Sequence, residues 1–303
     1  MITALEYIVE PNGCRCSIFA DKNVAQKNAW HLKTLGGNGL PPISALGAAS
    51  YGLPGKSYQG ITVDAREIEA ELYADGYSIA GLQDMLDSVP RMLSGGHEGL
   101  GLLRLRNSAG KWARIGAKCI EFEEDERYRR TSLFGAVFDC PQPYFEDDLE
   151  TVLPFTAVDG GKEYPLDRPY LFGDIEGGTI GIDGLIVHEV EAYNAGDIEC
   201  PCIINIYGEA IKALTITNQT TGKEITLQAD AGLGRIEINT DPDNLYCLTD
   251  DEQDASAFVS LFNSISDFTL APGANQLYIE IQATRETLAG TAIRFRGRYS
   301  AWL

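Results

Sequence analysis

Three histidines, seven cysteines, a dense set of carboxylates and one Gly-rich stretch are the groups in this chain able to do chemistry. His31, His97 and His188 are scattered, with no H-x-x-x-H spacing to present two imidazoles to a metal. His188 alternates with Ile186 and Val190, which puts all three on one side of a strand. A satisfied or surface histidine is the simpler reading of each. Cys14/Cys16 and Cys200/Cys202 are C-x-C pairs whose members would share a strand face and in principle hold zinc. The pairs fall in different halves of the chain, and C-x-C is not the C-x-x-C knuckle, so structural thiols are expected. Asp241-Pro242-Asp243-Asn244 resembles a calcium-loop fragment but lacks the glycine and distal glutamate, and reads as a turn. A glycosidase would need two carboxylates with converging geometry, which abundance alone does not supply. There is no G-x-S-x-G elbow, and Gly36-Gly37-Asn38-Gly39 lacks the lysine of a phosphate loop. No catalytic constellation, cofactor or metal is expected, and the chain reads as a non-enzyme.

The charge narrows the partners. The chain has 303 residues, a net charge of −20 and a pI near 4.5. Gripping nucleic acid by its phosphates needs clustered Lys and Arg. An acidic wall would instead let DNA slide past without sticking. Residues 1–150 hold 15 basic and 21 acidic residues, the remainder 9 and 23, so the halves have different surroundings. An odd cysteine count without a basic, apolar leader favours reduced thiols over a secreted disulfide scaffold. No stretch of about 18 apolar residues offers a membrane span.

The elements that would position any site are mostly strands. Residues 4–10 and 14–20 flank Pro11-Asn12-Gly13, a hairpin signal. A long Gly- and Pro-rich loop is expected from Gly36 to Gly60. Residues 60–74 read as one strand whose apolar parity switches near Arg66, as at a β-bulge. The apolar stripe Ile79, Leu82, Met85, Leu86, Val89, Leu93 predicts a helix over 79–93, capped by Ser78, bent by Pro90 and stopped by Gly95-Gly96. Strands at about 100–106, 111–124 and 131–140 complete an antiparallel sheet with a packed helix. The acidic, Pro-containing run 141–150 reads as a linker between a domain at 1–145 and one at 151–303. The latter shows only strand-like segments, at roughly 152–158, 185–192, 202–207, 211–217, 223–229, 235–239, 244–248, 266–270, 276–283 and 291–299. Turn residues separate them, as in a β-sandwich.

In the first half, LPPIS, TVDAREIEAELYA and FGAVFDCPQPYFEDD occur in that order; in the second, NAGDIECPCIINIYG, TGKEITL, RIEINTDPDNLYCL, SDFTLAPGANQLYIE and AIRFRGRYSAWL. This ordered set resembles the distal tail protein family of long-tailed (siphovirus) bacteriophages along nearly the whole chain. The resemblance implies a mainly β fold: an N-terminal α+β ring-forming domain and a C-terminal sandwich like galectins and carbohydrate-binding modules. It implies a hexameric ring, assembled in the bacterial cytoplasm, that joins the tail tube to the tip or baseplate proteins that find the host. It also implies a virion location, with DNA passing the lumen without specific binding and no membrane insertion. Some family members carry an inserted carbohydrate-binding module, for which this chain has no room.

Two surfaces are expected to make subunit or partner contacts. Leu40, Pro41, Pro42, Ile43, Tyr51 and Leu53 are too apolar for a free loop and read as embracing a neighbouring subunit. Arg294, Arg296 and Arg298 alternate along the last strand and put three charges on one face. Acidic cross-strand partners would make that face ordinary, and an acidic neighbour would make it a docking site. The rival readings are a lectin-like binding protein of the virion surface, a carbohydrate-active enzyme, and another ring or tube component. A tube protein would be shorter.

Overall fold

The computed structural model describes residues 1–9, 16–22, 28–48, 57–93, 99–154, 185–249, 252–260, 265–283 and 291–303. The chain is mainly β and splits into two compact units. The first is Met1–Asp148 together with Arg298–Leu303; the second is Leu149–Gly297.

In the first unit, strands β1 (Ile2–Val9), β2 (Cys16–Asp21), β3 (Ala29–Gly36), β4 (Ile43–Ala48), β5 (Ser57–Val63) and β6 (Arg66–Asp75) precede helix α1 (Ile79–Leu93). Strands β7 (Gly101–Asn107), β8 (Trp112–Arg127), β9 (Thr131–Cys140) and β10 (Phe145–Asp147) follow. Pairing runs β1–β2–β3–β6–β9–β8–β7 and back to β1, a closed ring of strands to which β10 is added along β8. β8 makes closure possible by changing partners. Its first half, Trp112 to Ala117, pairs with β7; from Lys118 onward it pairs with β9, with register shifts at Cys119/Glu121 and Glu124/Glu126. Strict alternation on β6 and β9 buries Ile68, Leu72, Phe134 and Phe138 against Leu5, Tyr7, Leu105 and Ile115. Gly101 is required because a Cβ there would lie 2.7 Å from the Tyr7 ring.

Ser78 caps the helix as its spacing predicts, accepting from the Gly81 N–H at 3.0 Å. Leu82 and Val89 are buried in the barrel core, with Met85 and Leu86 packed beside them. Pro90 lies inside the helix, and Gly95-Gly96 falls outside the described residues.

The run 141–150 expected as a linker contains a strand. β10 pairs with β8 on one side and with β18 (Arg298–Tyr299) on the other, so Phe145–Asp147 belong to the first unit's sheet, and the boundary between the units falls at Asp148/Leu149. The acidic run that looked unfit for a core lies along a sheet margin, where Glu146 meets Arg114 and Arg298, each at 3.2 Å.

The second unit holds β11 (Thr151–Pro154), β12 (Leu185–Asn194), β13 (Cys202–Asn218), β14 (Lys223–Asn239), β15 (Tyr246–Leu248), β16 (Gly273–Gln282) and β17 (Ala292–Phe295). The segments expected at 202–207 and 211–217 are one bent strand, as are those at 223–229 and 235–239. The first half of β13 pairs with β17 and the far half of β14; its second half pairs with β16 and the near half of β14. Register shifts at Tyr207/Ile211/Ala213 and a φ of 54° at Ala210 mark the bend. The hairpin thus serves both halves of the sheet around one core containing Ile204, Ile206, Leu214, Ile216, Ile279 and Ile281. Residues 266–270 are not a strand: a 3-10 turn at Ile265–Asp267 delivers Phe268 and Leu270 into this core. The expected strand 291–299 is two, β17 and β18, interrupted at Arg296-Gly297 and placed in different units.

Candidate assembly surface

The stretch expected to be a loop, 36–60, is in large part a hairpin. β4 and β5 pair antiparallel, Ile43↔Val63 through Ala48↔Ser57, and form a two-stranded sheet of their own. The Gly and Pro residues at the hairpin's ends hid a period-2 pattern between them. Ile43, Ala45, Ile61 and Val63 share one face; Ser44, Leu46, Gly60 and Thr62 share the other. The parity switch near Arg66 is likewise no bulge: β5 belongs to the arm and β6 to the barrel, with the break at Asp64-Ala65. The arm's apolar face is open, with Ile43 55% and Ile61 53% exposed and Leu40 at the root 73% exposed. Pro42 is exposed too. Pro41 is buried and offers no surface, contrary to its expected role. Tyr51 and Leu53 lie outside the described residues.

The arm's root is built around Arg66, which is 1% exposed. Its Nη1 donates to the carbonyls of Gly37 (3.3 Å) and Gly39 (3.0 Å), and its Nη2 to that of Ser300 (2.7 Å). The guanidinium lies 4.6 Å from the Phe145 ring centroid. Burial lowers its pKa, yet a group that basic stays charged. The Gly-rich stretch therefore does bind an ion: its carbonyls cradle a cation, where a phosphate loop would use its N–H groups on an anion. Gly37 has φ 77°, and a Cβ there would fall 2.0 Å from the Glu67 carbonyl oxygen, so only glycine lets the two legs approach this closely. Asn38 and Trp302 bond reciprocally: Asn38 Nδ2 donates to the Trp302 carbonyl at 2.7 Å, and the Trp302 N–H donates to the Asn38 carbonyl at 2.9 Å. The Trp302 indole is buried in the barrel core and donates to the Leu105 carbonyl at 3.2 Å. In the sequence Arg66 signalled only a parity switch, and Asn38 and Trp302 gave no signal. Nothing local marks a contact between residues 234 positions apart.

The three arginines are not brought together. Arg294, on β17, stands 3.8 Å from Glu237 and 4.0 Å from Glu150 in the second unit. Glu237 also pairs with Arg235 and accepts from the Tyr246 hydroxyl at 2.7 Å. Arg298, on β18 in the first unit, pairs with Glu146. Arg296 sits in the break between these strands and has partners of its own. The single three-charge face expected on one strand does not exist. Arg294 and Arg298 meet acidic partners within their own units.

Among the described residues no His/Cys/Asp/Glu cluster could hold a metal. Cys200 and Cys202 are buried in the second unit's core, and burial pushes the Cys202 thiol up to about 12. Cys140 and Cys247 are likewise pushed up to about 12 and Cys119 to about 11, so these thiols stay protonated and inert. Cys14 and His97 lie outside the described residues, as does the Cys16 side chain. His31 and His188 are half-buried, His31 with its ring 6.1 Å from that of Tyr73. Asp241-Asn244 is a capped turn: Pro242–Asn244 form a 3-10 turn and Asp241 accepts from the Asp243 N–H at 3.3 Å. No described helix is long and apolar enough to cross a membrane.

The outer face of the barrel is acidic along β6 and the second half of β8. Glu67 and Glu69 of β6 and Glu121, Glu123, Glu124, Asp125 and Glu126 of β8 are exposed. An open cleft of about 460 Å³ crosses β3, β6 and β9, with Glu69 and Glu71 on its rim. Glu71 accepts from Lys33 at 2.9 Å, which lowers its pKa.

No family model matches the chain, and no curated protein is similar enough in sequence to match it. Solved structures do match. The Dit protein (gp 19.1) of phage SPP1, described as a paradigm of the hub adsorption apparatus in phages infecting Gram-positive hosts, is 12% identical with a TM-score of 0.60. The match covers 98% of this chain and 99% of that one. Two structures of the phage P2 baseplate in its activated conformation, with Ca and with Sr, match at 13% and 15% identity, both with a TM-score of 0.51. They cover 99% and 98% of this chain and 98% of theirs. At these identities the likeness is one of fold, and it extends through both units.

Proposed function

We propose that the chain is a structural hub of a phage tail tip or baseplate, forming a hexameric ring that joins the tail tube to the host-adsorption apparatus. The observation that carries this reading is the end-to-end fold correspondence with a phage hub protein, 98% of one chain and 99% of the other. A shared single domain would say little about role, because folds host many functions. Two units in the same order over the full length are a narrower coincidence.

The exposed apolar arm supports the same reading. A ring closes when one surface of each copy meets a different surface of the next and the rotation, about one-sixth of a turn, repeats. The Ile43, Ala45, Ile61, Val63 face is a surface of that kind, and a neighbouring copy is its proposed occupant. Tail tube and tip proteins would then hold the ring's other faces. The acidic barrel wall and the net charge of −20 suit a particle through which DNA passes without binding. Assembly would take place in the bacterial cytoplasm and the product would reside in the virion. The proposed role asks for no catalytic group.

Electron microscopy of the purified chain, with mass measurement in solution, tests the proposal. A six-fold ring with a central hole is the expected result. A monomer at every concentration, together with absence of the chain from assembled virions, would overturn it.

A further inference from the structure

We infer that residues 298–303 are a latch that sets the arm, so that ring assembly waits until this segment has docked; the inference rests on the assembly role of the arm argued above. The arm is a two-stranded sheet with an exposed apolar face, and a lone hairpin is at best marginally stable in water. Its direction must therefore be fixed at the root. Both legs pass Arg66: the outgoing leg gives it the carbonyls of Gly37 and Gly39, and the returning leg carries Arg66 itself. The third acceptor is Ser300, and Asn38 in the outgoing leg holds Trp302 by two hydrogen bonds. The latch is anchored independently of the arm. Arg298 and Tyr299 pair with β10, Tyr299 donates to Asp147 at 3.0 Å, and Trp302 fills the barrel core.

Without residues 298–303, Arg66 loses its shortest hydrogen bond and Asn38 loses both of those it makes with Trp302. A buried guanidinium short of acceptors is unfavourable, so the root rearranges. Chain order turns this into a timing device. Ser300 follows Arg66 by 234 residues, and the whole second unit is made between them. At roughly 5–20 residues per second that interval is on the order of ten seconds or more. During it the apolar arm exists without its latch. An arm that is not yet set cannot offer its face in the geometry a ring needs, so nascent chains are kept from joining before both units are complete.

The test compares the full chain with Asn38→Ala and with a deletion of residues 300–303. Hydrogen exchange is read at dilutions where the protein is monomeric, and ring formation by microscopy across a concentration series. Both variants are expected to raise exchange in 43–48 and 57–63 at least tenfold, and in Asn38→Ala the amides of β6 and β9 should be unchanged. The concentration needed for rings should also rise at least tenfold. Asn38→Ala removes one side-chain bond from a half-buried position, so it remains informative if the deletion unfolds the unit. Arm exchange equal to wild type in Asn38→Ala would overturn the latch. So would rings forming at the wild-type concentration from a loosened arm. Should the wild-type chain form no rings at all, the assembly reading fails and with it the timing role, while the exchange data still decide whether residues 298–303 set the arm.

Discussion

The barrel and the arm belong to one unit and obey opposite rules. Along β6 and β9 every second side chain is buried, and apolar apart from Arg66 and Ser132, and the strands close into a ring. Along β4 and β5 the same period-2 pattern is present, but its apolar face points at solvent. Identical local chemistry thus gives a core in one place and an exposed apolar face in the other. What decides is whether the chain supplies the opposing layer. The barrel supplies its own; the arm's is exposed in the single chain, and the proposed ring would supply it from a neighbouring copy.

The sharpest way to stress this contrast is in the barrel. Phe138 is fully buried with its ring 4.9 Å from that of Tyr7. Phe138→Ala should destabilise the first unit by about 3–5 kcal/mol through lost burial and a cavity. Urea unfolding followed by tryptophan fluorescence measures it. A loss below about 1 kcal/mol would mean that the barrel interior is not the packed core described.

This division between self-completed and open surfaces was only partly legible in the sequence. The mainly β class, the helix over 79–93 and the turn at Asp241 could be read because each rests on local chemistry: alternation, an apolar stripe with Ser78 at its start, a short side chain beside a proline. The arm was misread because Gly36, Gly37, Gly39, Pro41 and Pro42 resemble loop punctuation, though they only flank two strands. The bends in β13 and β14 were misread as strand ends because a bulge and a turn interrupt alternation in the same way. Arg66 and Trp302 were invisible for a different reason. Their partners are set by tertiary closure, and no spacing along the chain encodes a contact between positions 66 and 300.

Alkaline pH should distinguish the two regions next. Cys140 sits at the end of β9 with its thiol pushed up to about 12 by burial, partly opposed by Arg66. The thiol of the unfolded chain ionises near pH 8.5. Between these values the unfolded state has released a proton that the folded state still holds, so stability falls as pH rises. The slope from this group approaches about 1.4 kcal/mol per pH unit. Cys140→Ala should flatten the stability profile between roughly pH 9 and 11 by up to that amount. Urea titrations at several pH values compare the slopes, and parallel profiles would show that the thiol is solvated and the barrel's end open. The described part of the arm contains no cysteine and contributes nothing to this slope.

A smaller effect is expected at Tyr7. Its hydroxyl donates to the Ala117 carbonyl at 3.4 Å and accepts from the Cys119 N–H at 3.3 Å, where β8 changes partners. Tyr7→Phe removes both bonds without opening a cavity and should cost about 1 kcal/mol. The loss should appear as faster hydrogen exchange around residues 117–119. An unchanged exchange pattern there would place the cause of the β8 partner change elsewhere.

The smallest effect on stability is the most informative about role. Ile43 and Ile61 are more than half exposed, so replacing both with serine removes little buried apolar surface from a single chain. Ile43→Ser with Ile61→Ser should shift the unfolding free energy by about 0.5 kcal/mol or less, as for surface positions in general. In an assembly the same face would be buried, and each isoleucine taken out of water contributes on the order of 1.5–3 kcal/mol. Two such losses at every contact of a closed ring weaken every joint at once, so the ring should disappear while the monomer stays folded. Sedimentation or light scattering reads the first outcome and thermal unfolding the second. If the double variant assembles at wild-type concentrations, the arm's apolar face is not where copies meet. The contrast between a self-completed barrel and an arm awaiting a neighbour would then have to be redrawn around another surface, the acidic cleft across β3, β6 and β9 being next to examine.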